Sequence, residues 1–219
     1  MRIIDISGSI ENGMWSYADP YPAPSITEIP APDWLAYPVY SQTVRMAVQT
    51  ATYLETGAHM YRDAINIDQV PLERCYLIDA LTLWIPKGPD QAISVDDLAG
   101  ALAKSGETFR PGDALLVGTG WDTHWTEPDY LTNPPYFLAS AIDWVLDQQA
   151  SLLGGDTPRY DSPNDPQNFF TKFFKQDILL LAPLINLQQV QKTRGKLTAL
   201  PLKIKGACAS PVRALWIEE

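Results

Sequence analysis

Basic residues, histidine and cysteine are scarce in this chain of 219 residues. Lys and Arg together number 16 against 26 Asp and Glu, which gives a formal net charge of −10. This surplus of negative charge repels phosphate backbones and anionic bilayers, so we expect neither nucleic acid nor a membrane as a partner. The two cysteines, Cys75 and Cys208, lie in apolar surroundings and are too few for a disulfide framework, which indicates a reducing, cytoplasmic location.

Long apolar runs are also missing. The longest covers residues 178–185, is interrupted by Pro183 and is far shorter than the roughly 20 residues of a membrane span. Asp5 stands where a signal peptide has its apolar stretch, so we expect an unexported protein. Hydrophobic residues make up 46% and charged residues 19%, which is typical of a globular domain. Because no linker divides the chain, we predict a single domain over residues 1–219.

Hydrophobic periodicity predicts strands mixed with a few helices. One helix is predicted to begin after Ser94, an N-cap residue followed by acids, and to end at Gly106. Further helices are predicted at 136–149 and 168–175, and strands at 2–6, 44–54, 76–85, 114–118, 178–181 and 202–204. This mixture indicates an α/β or α+β domain.

Proline and aromatic residues are concentrated near the N-terminus. Six prolines lie in residues 19–38, and large side chains lie within and just before this stretch, including Trp15 and Tyr17. We predict a Pro/aromatic-rich arm over residues 8–40, with Trp15 and Tyr17 lining an apolar substrate pocket. Two alternatives stay open for the arm, which either packs on its own subunit or covers a partner surface.

The first of the two histidines, His59, follows a segment rich in polar groups. In an extended strand, the side chains of Gln49, Tyr53 and Glu55 project from one face. Gly57 permits a bend that returns His59 over that face. A Glu–His pair is typical of general acid–base catalysis, but polar residues that only satisfy each other at a strand end explain the pattern equally well.

The second histidine, His124, lies in the segment Trp121-Asp-Thr-His124-Trp125. Tryptophans on both sides indicate a packed, partly aromatic wall, in which a structural or substrate-lining histidine is more common than a catalytic one. We therefore assign Trp121 and His124 to substrate binding and not to catalysis.

Residues 49–59 resemble the signature of the cyclase superfamily, His-x-Gly-Thr-His-x-Asp-x-Pro-x-His, which includes kynurenine formamidase and isatin hydrolase. Thr52 and His59 match this signature outright, and Glu55 keeps its carboxylate. Other segments are similar to the family in order and spacing, from about residue 3 to 217: Asp5-Ile-Ser7, Asn12-Gly-Met14, Pro71-Leu-Glu73, Gly112-Asp113, Thr119-Gly-Trp121, Gly155-Asp-Thr157, Asn186-Leu187 and Ser210-Pro-Val-Arg213. By this resemblance the chain is identified as a divergent member of the superfamily.

The resemblance implies a swivelling β/β/α domain with a central mixed sheet or barrel-like core and flanking helices. It also implies a homodimer or homotetramer in which the arm helps to close the neighbouring site. The family's zinc or manganese ligands correspond to Gln49, Tyr53 and Glu55 in this chain. Because an amide and a phenol are poor replacements for imidazole, we expect the metal site to be lost and no cofactor to be needed.

The resemblance casts His59 as the proton-transferring residue, with Glu55 as its orienting partner or as a second acid–base group. Tyr53 is predicted to donate to an oxyanion, and Gln49 to hold a substrate amide or carbonyl. We favour metal-independent cyclisation, dehydration or isomerisation of a small aromatic or cyclic carbonyl compound. Two alternatives stay open. One is an amide, lactam or ester hydrolase with Zn or Mn held weakly on Glu55, His59 and Gln49, and the other is a non-catalytic homologue that binds a small molecule.

Overall fold

A closed mixed β-sheet forms the framework of the molecule. The computed structural model describes residues 1–218 of the chain. Its strands are β1 (Arg2–Asp5), β2 (Ser25–Ile29), β3 (Ser41–Arg45), β4 (Tyr53–Glu55), β5 (Ile78–Trp84), β6 (Ala92–Ile93), β7 (Ala114–Gly118), β8 (Tyr136–Phe137), β9 (Leu152–Gly155), β10 (Leu179–Ala182), β11 (Arg194–Pro201) and β12 (Ala209–Glu218). The helices are α1 (Val95–Ser105), α2 (Ala139–Asp147) and α3 (Phe170–Lys175).

The main sheet has the strand order β1-β12-β11-β5-β7-β9-β10-β4. The central strands β5, β7, β9 and β10 are parallel, and the remaining neighbours pair antiparallel. A further pairing of β12 with β4 joins the ends of this order, so that seven strands of the described chain form a ring with β1 attached outside it. The predicted α/β class and barrel-like core are therefore confirmed.

Successive residues of the barrel strands face two separate hydrophobic cores, because side chains alternate along a strand. Leu54, Leu116 and Trp216 belong to the cluster that also contains these buried residues from the ring: Ala80, Ala114, Leu152, Leu179, Leu181, Leu197, Ala199 and Ala214. Their neighbours along the strands belong to the second cluster, which includes Tyr53, Leu81, Leu83, Leu115, Val117, Leu153, Leu180 and Ala182 and the buried faces of the helices. One face of the sheet thus fills the barrel, and the other packs under the helices.

Helix α1 agrees closely with the sequence prediction. The Ser94 hydroxyl accepts a hydrogen bond from the backbone N–H of Asp97, and the Asp97 carboxylate accepts one from the N–H of Ser94. Gly106 ends the helix in the left-handed conformation, with φ of 71°. These contacts satisfy backbone groups that a helix end otherwise leaves without a partner.

Three predicted elements differ from the structure. The strand predicted at 44–54 is interrupted, since β3 ends at Arg45 and β4 begins only at Tyr53. Between them, Thr52 donates to the Pro183 carbonyl and accepts from the N–H of Gly8, contacts that a regular ladder does not provide. The strand predicted at 202–204 is wrong, because β11 already ends at Pro201. The helix predicted from 136 begins at Ala139, after β8.

The predicted arm divides into two parts. Trp15 packs against the rings of Tyr17, Trp125 and Tyr130 on its own chain, with centroid distances between 5.2 and 5.6 Å. The later part contains β2, which pairs with β3, and leaves large side chains exposed between these strands: Trp34 (81%), Tyr37 (64%) and Tyr40 (84%). Within residues 1–218, no helix has the length and apolar character needed to cross a bilayer.

The contact between β11 and β12 generates a prediction about Gly195. A Cβ atom at this position lies 2.6 Å from Cζ2 of Trp216 and 2.7 Å from the carbonyl oxygen of Ile217. We expect Gly195→Ala to lower the free energy of unfolding by about 1–3 kcal/mol through overpacking. The matched control is Gly100→Ala in α1, where a Cβ has no neighbour within 4 Å and a gain of roughly 0.5–1 kcal/mol is expected. Urea unfolding measures both, and equal stabilities contradict the prediction.

Candidate functional site

A cavity of about 540 Å³ opens on the outer face of the barrel beside β4 and α3. Its lining includes apolar side chains, among them Met60, Phe170, Phe174 and Leu180. The lining also contains the polar groups of Gln49, Tyr53, Glu55 and His59, together with Arg159, Asp161 and Ser162. This volume and this mixture of surfaces are typical of a site for a small organic molecule.

Strand β4 and the turn after it position the polar groups. Tyr53 and Glu55 point to the outer face, whereas Leu54 points into the barrel. A single 3-10 turn, Gly57–His59, then reverses the chain, and the Thr56 hydroxyl caps this turn by accepting from the N–H of Ala58. A Cβ at Gly57 lies 3.0 Å from the carbonyl oxygen of Phe174, so the close approach of α3 favours glycine there. The predicted bend is confirmed.

The turn brings His59 against Glu55. The His59 Nδ1 atom lies 3.2 Å from Oε1 of Glu55, and 38% of the histidine side chain is exposed. Glu55 is buried and accepts a hydrogen bond of 3.0 Å from Nε2 of Gln49. Burial raises the pKa of the Glu55 carboxyl, while His59 and the Gln49 amide act in the opposite direction. The arrangement can orient an imidazole and exchange a proton with it.

Tyr53 belongs to a chain of hydroxyl groups. The Tyr17 hydroxyl donates to the Pro158 carbonyl at 2.7 Å and lies 3.2 Å from the hydroxyl of Tyr53. Because the Tyr17 proton is directed at Pro158, the Tyr53 hydroxyl is the donor between the two phenols. Burial raises the pKa of both phenols above the ordinary value, so each remains protonated near neutral pH and acts as a donor.

Cys208 is the residue of this site that sequence reasoning missed. It precedes β12, whose Ala209 lies opposite Glu55 in the antiparallel register, and its carbonyl accepts from the N–H of Thr56. Its sulfur lies 3.4 Å from Nε2 of Gln49. Burial and the Glu55 carboxylate raise the pKa of its thiol. The expected apolar surroundings therefore describe Cys208 only in part. Its proximity to Glu55 could not be inferred from spacing, because the two residues are far apart in the sequence.

The predicted site residues fall into two groups. Gln49, Tyr53, Glu55, His59 and Tyr17 meet in one cavity, as predicted. Trp121 and His124 are not among the described residues that line this cavity, and Trp15 lines a second pocket together with Trp125 and Tyr130, so the part of all three in substrate binding stays a prediction. The His124 ring stacks on Trp121 at 4.1 Å, and the Trp121 indole N–H donates to the Tyr130 carbonyl. Both contacts fit a structural role for this aromatic wall.

The loop after β9 contributes lining residues without a sequence signal, including Arg159 and Asp161. Asp156 holds the start of this loop to the end of β7, where its carboxylate accepts from Thr119 N–H, Thr119 hydroxyl and Gly120 N–H at 2.7–2.9 Å. Burial raises the pKa of Asp156 to about 6, although these donors favour its charged form. The segment Gly155-Asp156-Thr157, which resembles the family, thus has a structural role through Asp156.

Comparisons with known proteins show which family and which fold this chain is similar to. A family model described as "Putative cyclase" matches residues 4–162. The kynurenine formamidase of Erythrobacter litoralis is 25% identical over 186 residues, 83% of this chain and 78% of that protein. The enzyme of the same name from Bacillus cereus is 25% identical over 215 residues, 97% and 95% of the two chains. Isatin hydrolase A from Labrenzia aggregata, solved with benzyl benzoate, shares the fold with a TM-score of 0.87 and 22% identity, covering 98% and 93% of the chains.

The residues at the family's metal-ligand positions do not fit a zinc or manganese ion. Tyr53 directs its hydroxyl towards Tyr17, and Gln49 presents its amide as a donor to Glu55. Only Glu55 offers a ligand of the kind these metals prefer, and a phenol and a donating amide do not replace two imidazoles. The substitutions thus change the chemistry that these positions can support.

The anchoring role of Asp156 can be tested by stability. In Asp156→Asn, an N–H₂ group faces backbone donors that the carboxylate accepted, so we expect a loss of roughly 2–4 kcal/mol in the free energy of unfolding. Asp33→Asn, at an exposed position, is the matched control and changes stability by less than about 0.5 kcal/mol. Urea denaturation followed by fluorescence measures both variants. Equal midpoints exclude a structural role for the Asp156 carboxylate.

Proposed function

This chain belongs to the cyclase family, and we propose that it is an enzyme that uses His59 and Glu55 as an acid–base pair on a small aromatic or cyclic carbonyl compound. The observation that carries the proposal is the contact of 3.2 Å between His59 and a buried Glu55 at the edge of a partly apolar cavity. The proposed reaction needs no metal ion at the family's ligand positions.

The proposed roles follow from the directions of the hydrogen bonds. Glu55 accepts from Nδ1 of His59 and thereby favours the tautomer with a free Nε2, which takes and returns the proton of the reacting group. Gln49 holds the Glu55 carboxylate with its amide and contacts the substrate carbonyl on the cavity side. Tyr53 keeps its phenol protonated, and on substrate binding its O–H turns from Tyr17 to donate to the negative charge that develops on the substrate oxygen.

The proposed substrate class follows from the cavity. Phe170 and Phe174 offer flat apolar surfaces, and the polar groups of Gln49, Tyr53, Glu55 and His59 line the same cavity. A planar ring with a carbonyl group matches this combination. Ring closure with loss of water and hydrolytic ring opening are the two directions of one reaction, and the same acid–base pair moves the proton in both. The names of the relatives, kynurenine formamidase and isatin hydrolase, favour the hydrolytic direction as the second candidate.

The test uses protein dialysed against a chelator, with metal content measured by elemental analysis. Isatin and its ring-opened acid serve as probes, and absorbance follows the reaction in both directions. We expect turnover without added metal, and a loss of about 10²–10⁴-fold in kcat/KM for His59→Ala. Tyr53→Phe is expected to lose a smaller part of kcat/KM, because only one hydrogen bond to the oxyanion is removed.

The control for the acid–base pair compares two equivalent substitutions. Glu55→Gln keeps the shape of the side chain but loses the charge that orients His59, and we expect turnover to fall at least about tenfold. Glu73→Gln makes the same change at an exposed site and leaves turnover unaltered. Turnover that survives in His59→Ala removes this histidine from the mechanism, and activity restored only by zinc or manganese replaces the proposal with a metal-dependent hydrolase.

We further propose that the exposed part of the arm contacts a second copy of the chain. Trp34, Tyr37 and Tyr40 expose most of their aromatic surface on the segment between β2 and β3, which is unusual without a partner. The double substitution Trp34→Ser and Tyr40→Ser is expected to convert a homodimer or homotetramer to a smaller species in sedimentation velocity. A parent protein that sediments as a monomer contradicts this proposal.

A further inference from the structure

The amide nitrogen of Gln49 lies at the centre of three groups that commonly bind metals. Nε2 is 3.0 Å from Oε1 of Glu55, 3.4 Å from Nδ1 of His59 and 3.4 Å from Sγ of Cys208. One ligand atom from each of these residues lies within 4.8 Å of the other two. A carboxylate oxygen, an imidazole nitrogen and a thiol sulfur thus gather around the N–H₂ group of Gln49.

The geometry is close to what a tetrahedral ion requires. Metal–ligand bonds of about 2.0–2.3 Å place tetrahedral ligand atoms roughly 3.3–3.8 Å apart. The His59 and Glu55 atoms already lie 3.2 Å apart, and the sulfur needs to approach by no more than about 1 Å. Three protein ligands leave a fourth position open, and the partial exposure of His59 provides access from solvent.

This set of ligands differs from the one that the cyclase signature implies. Of the three signature positions, only Glu55 takes part, while His59 comes from the turn after β4 and Cys208 from the segment that leads into β12. Because a thiolate is a soft ligand, the addition of Cys208 makes the site prefer soft metal ions. Glu55 is buried and Cys208 is partly buried beside it, and a divalent cation compensates the negative charge that both bring to the site.

We propose that Glu55, His59 and Cys208 form a binding site for a soft divalent cation of the zinc class, and that its occupation blocks turnover. The cation takes the Glu55 lone pair that orients His59 and replaces the proton on Nδ1 of His59. The remaining ring proton then lies on Nε2, which can no longer accept one, and the cation also displaces the amide of Gln49. The blocking role rests on the proposed function above, whereas binding of the cation does not.

Binding is measured first, with Cd²⁺ as the probe because its thiolate complexes absorb in the ultraviolet. Titration into chelator-dialysed protein is expected to give a thiolate-to-metal band that saturates at one ion per chain. The chain has two cysteines, and Cys75 is fully buried elsewhere, so Cys75→Ala is the matched control and keeps the band. Cys208→Ala loses the band and binds at least roughly tenfold more weakly by equilibrium dialysis.

A second variant tests the place of the ion. Gln49→Ala removes the amide that competes for the three ligands, so Cd²⁺ should bind roughly fivefold more tightly or better. A parent protein without the band, or a Cys208→Ala variant that keeps it, overturns the site. If Gln49→Ala binds Cd²⁺ with unchanged or lower affinity, the ion does not occupy the position next to the Gln49 amide.

Turnover of isatin then separates this site from the proposed function. With each variant compared with its own rate in chelator, Zn²⁺ is expected to inhibit the parent and Cys75→Ala, while Cys208→Ala resists inhibition. Equal inhibition of Cys208→Ala overturns the blocking role. Zn²⁺ that binds through Cys208 and raises turnover supports the site but overturns both the blocking role and the metal-independent reaction.

Discussion

Residues 209–211 of β12 pair with the three residues of β4, and this short antiparallel contact closes the barrel. It also defines the site, because it places Cys208 beside Glu55 and fixes the outward direction of Tyr53. On the other edge of β4, Leu180 of β10 pairs with Glu55 and Ala182 pairs with Tyr53. Leu180 and Ala182 also form part of the cavity wall. A strand held on both edges has little freedom, so the polar groups on it are well positioned.

Local chemistry explains which parts of the fold were predictable from sequence. Helix α1 has its N-cap at Ser94 and its left-handed glycine at 106, and β7 is a buried apolar run bounded by turns, so both were predicted closely. The segment 44–54 was misread because its alternation is regular, while the side chain of Thr52 is bonded to Pro183, 131 residues away. Contacts between residues so far apart in the sequence can decide the local backbone conformation, and the hydrophobic periodicity of the segment does not reveal them.

The candidate site shows the same division. Gln49, Tyr53, Glu55 and His59 lie within eleven residues. Strand alternation was sufficient for Tyr53 and Glu55 and one bend for His59, whereas Gln49 was grouped with them through a stretch of strand that the structure does not have. Cys208 and Arg159 reach the site through barrel closure and through the loop that Asp156 holds, neither of which has a local signal. Trp121 and His124 were grouped with the substrate by aromatic content alone, and the structure places them in a separate stack.

The two faces of the barrel have a consequence for how this chain can diverge. The reactive groups lie on the outer face, while the interior core is filled from the alternate positions of the same strands. A replacement at Gln49 or Tyr53 therefore leaves the packing inside the barrel unchanged, although Tyr53 also packs in the second cluster under the helices. Evolution can exchange an imidazole for an amide or a phenol at these positions while the barrel interior remains intact, so the chemistry of these positions and the packing of that interior are inherited as largely separate traits.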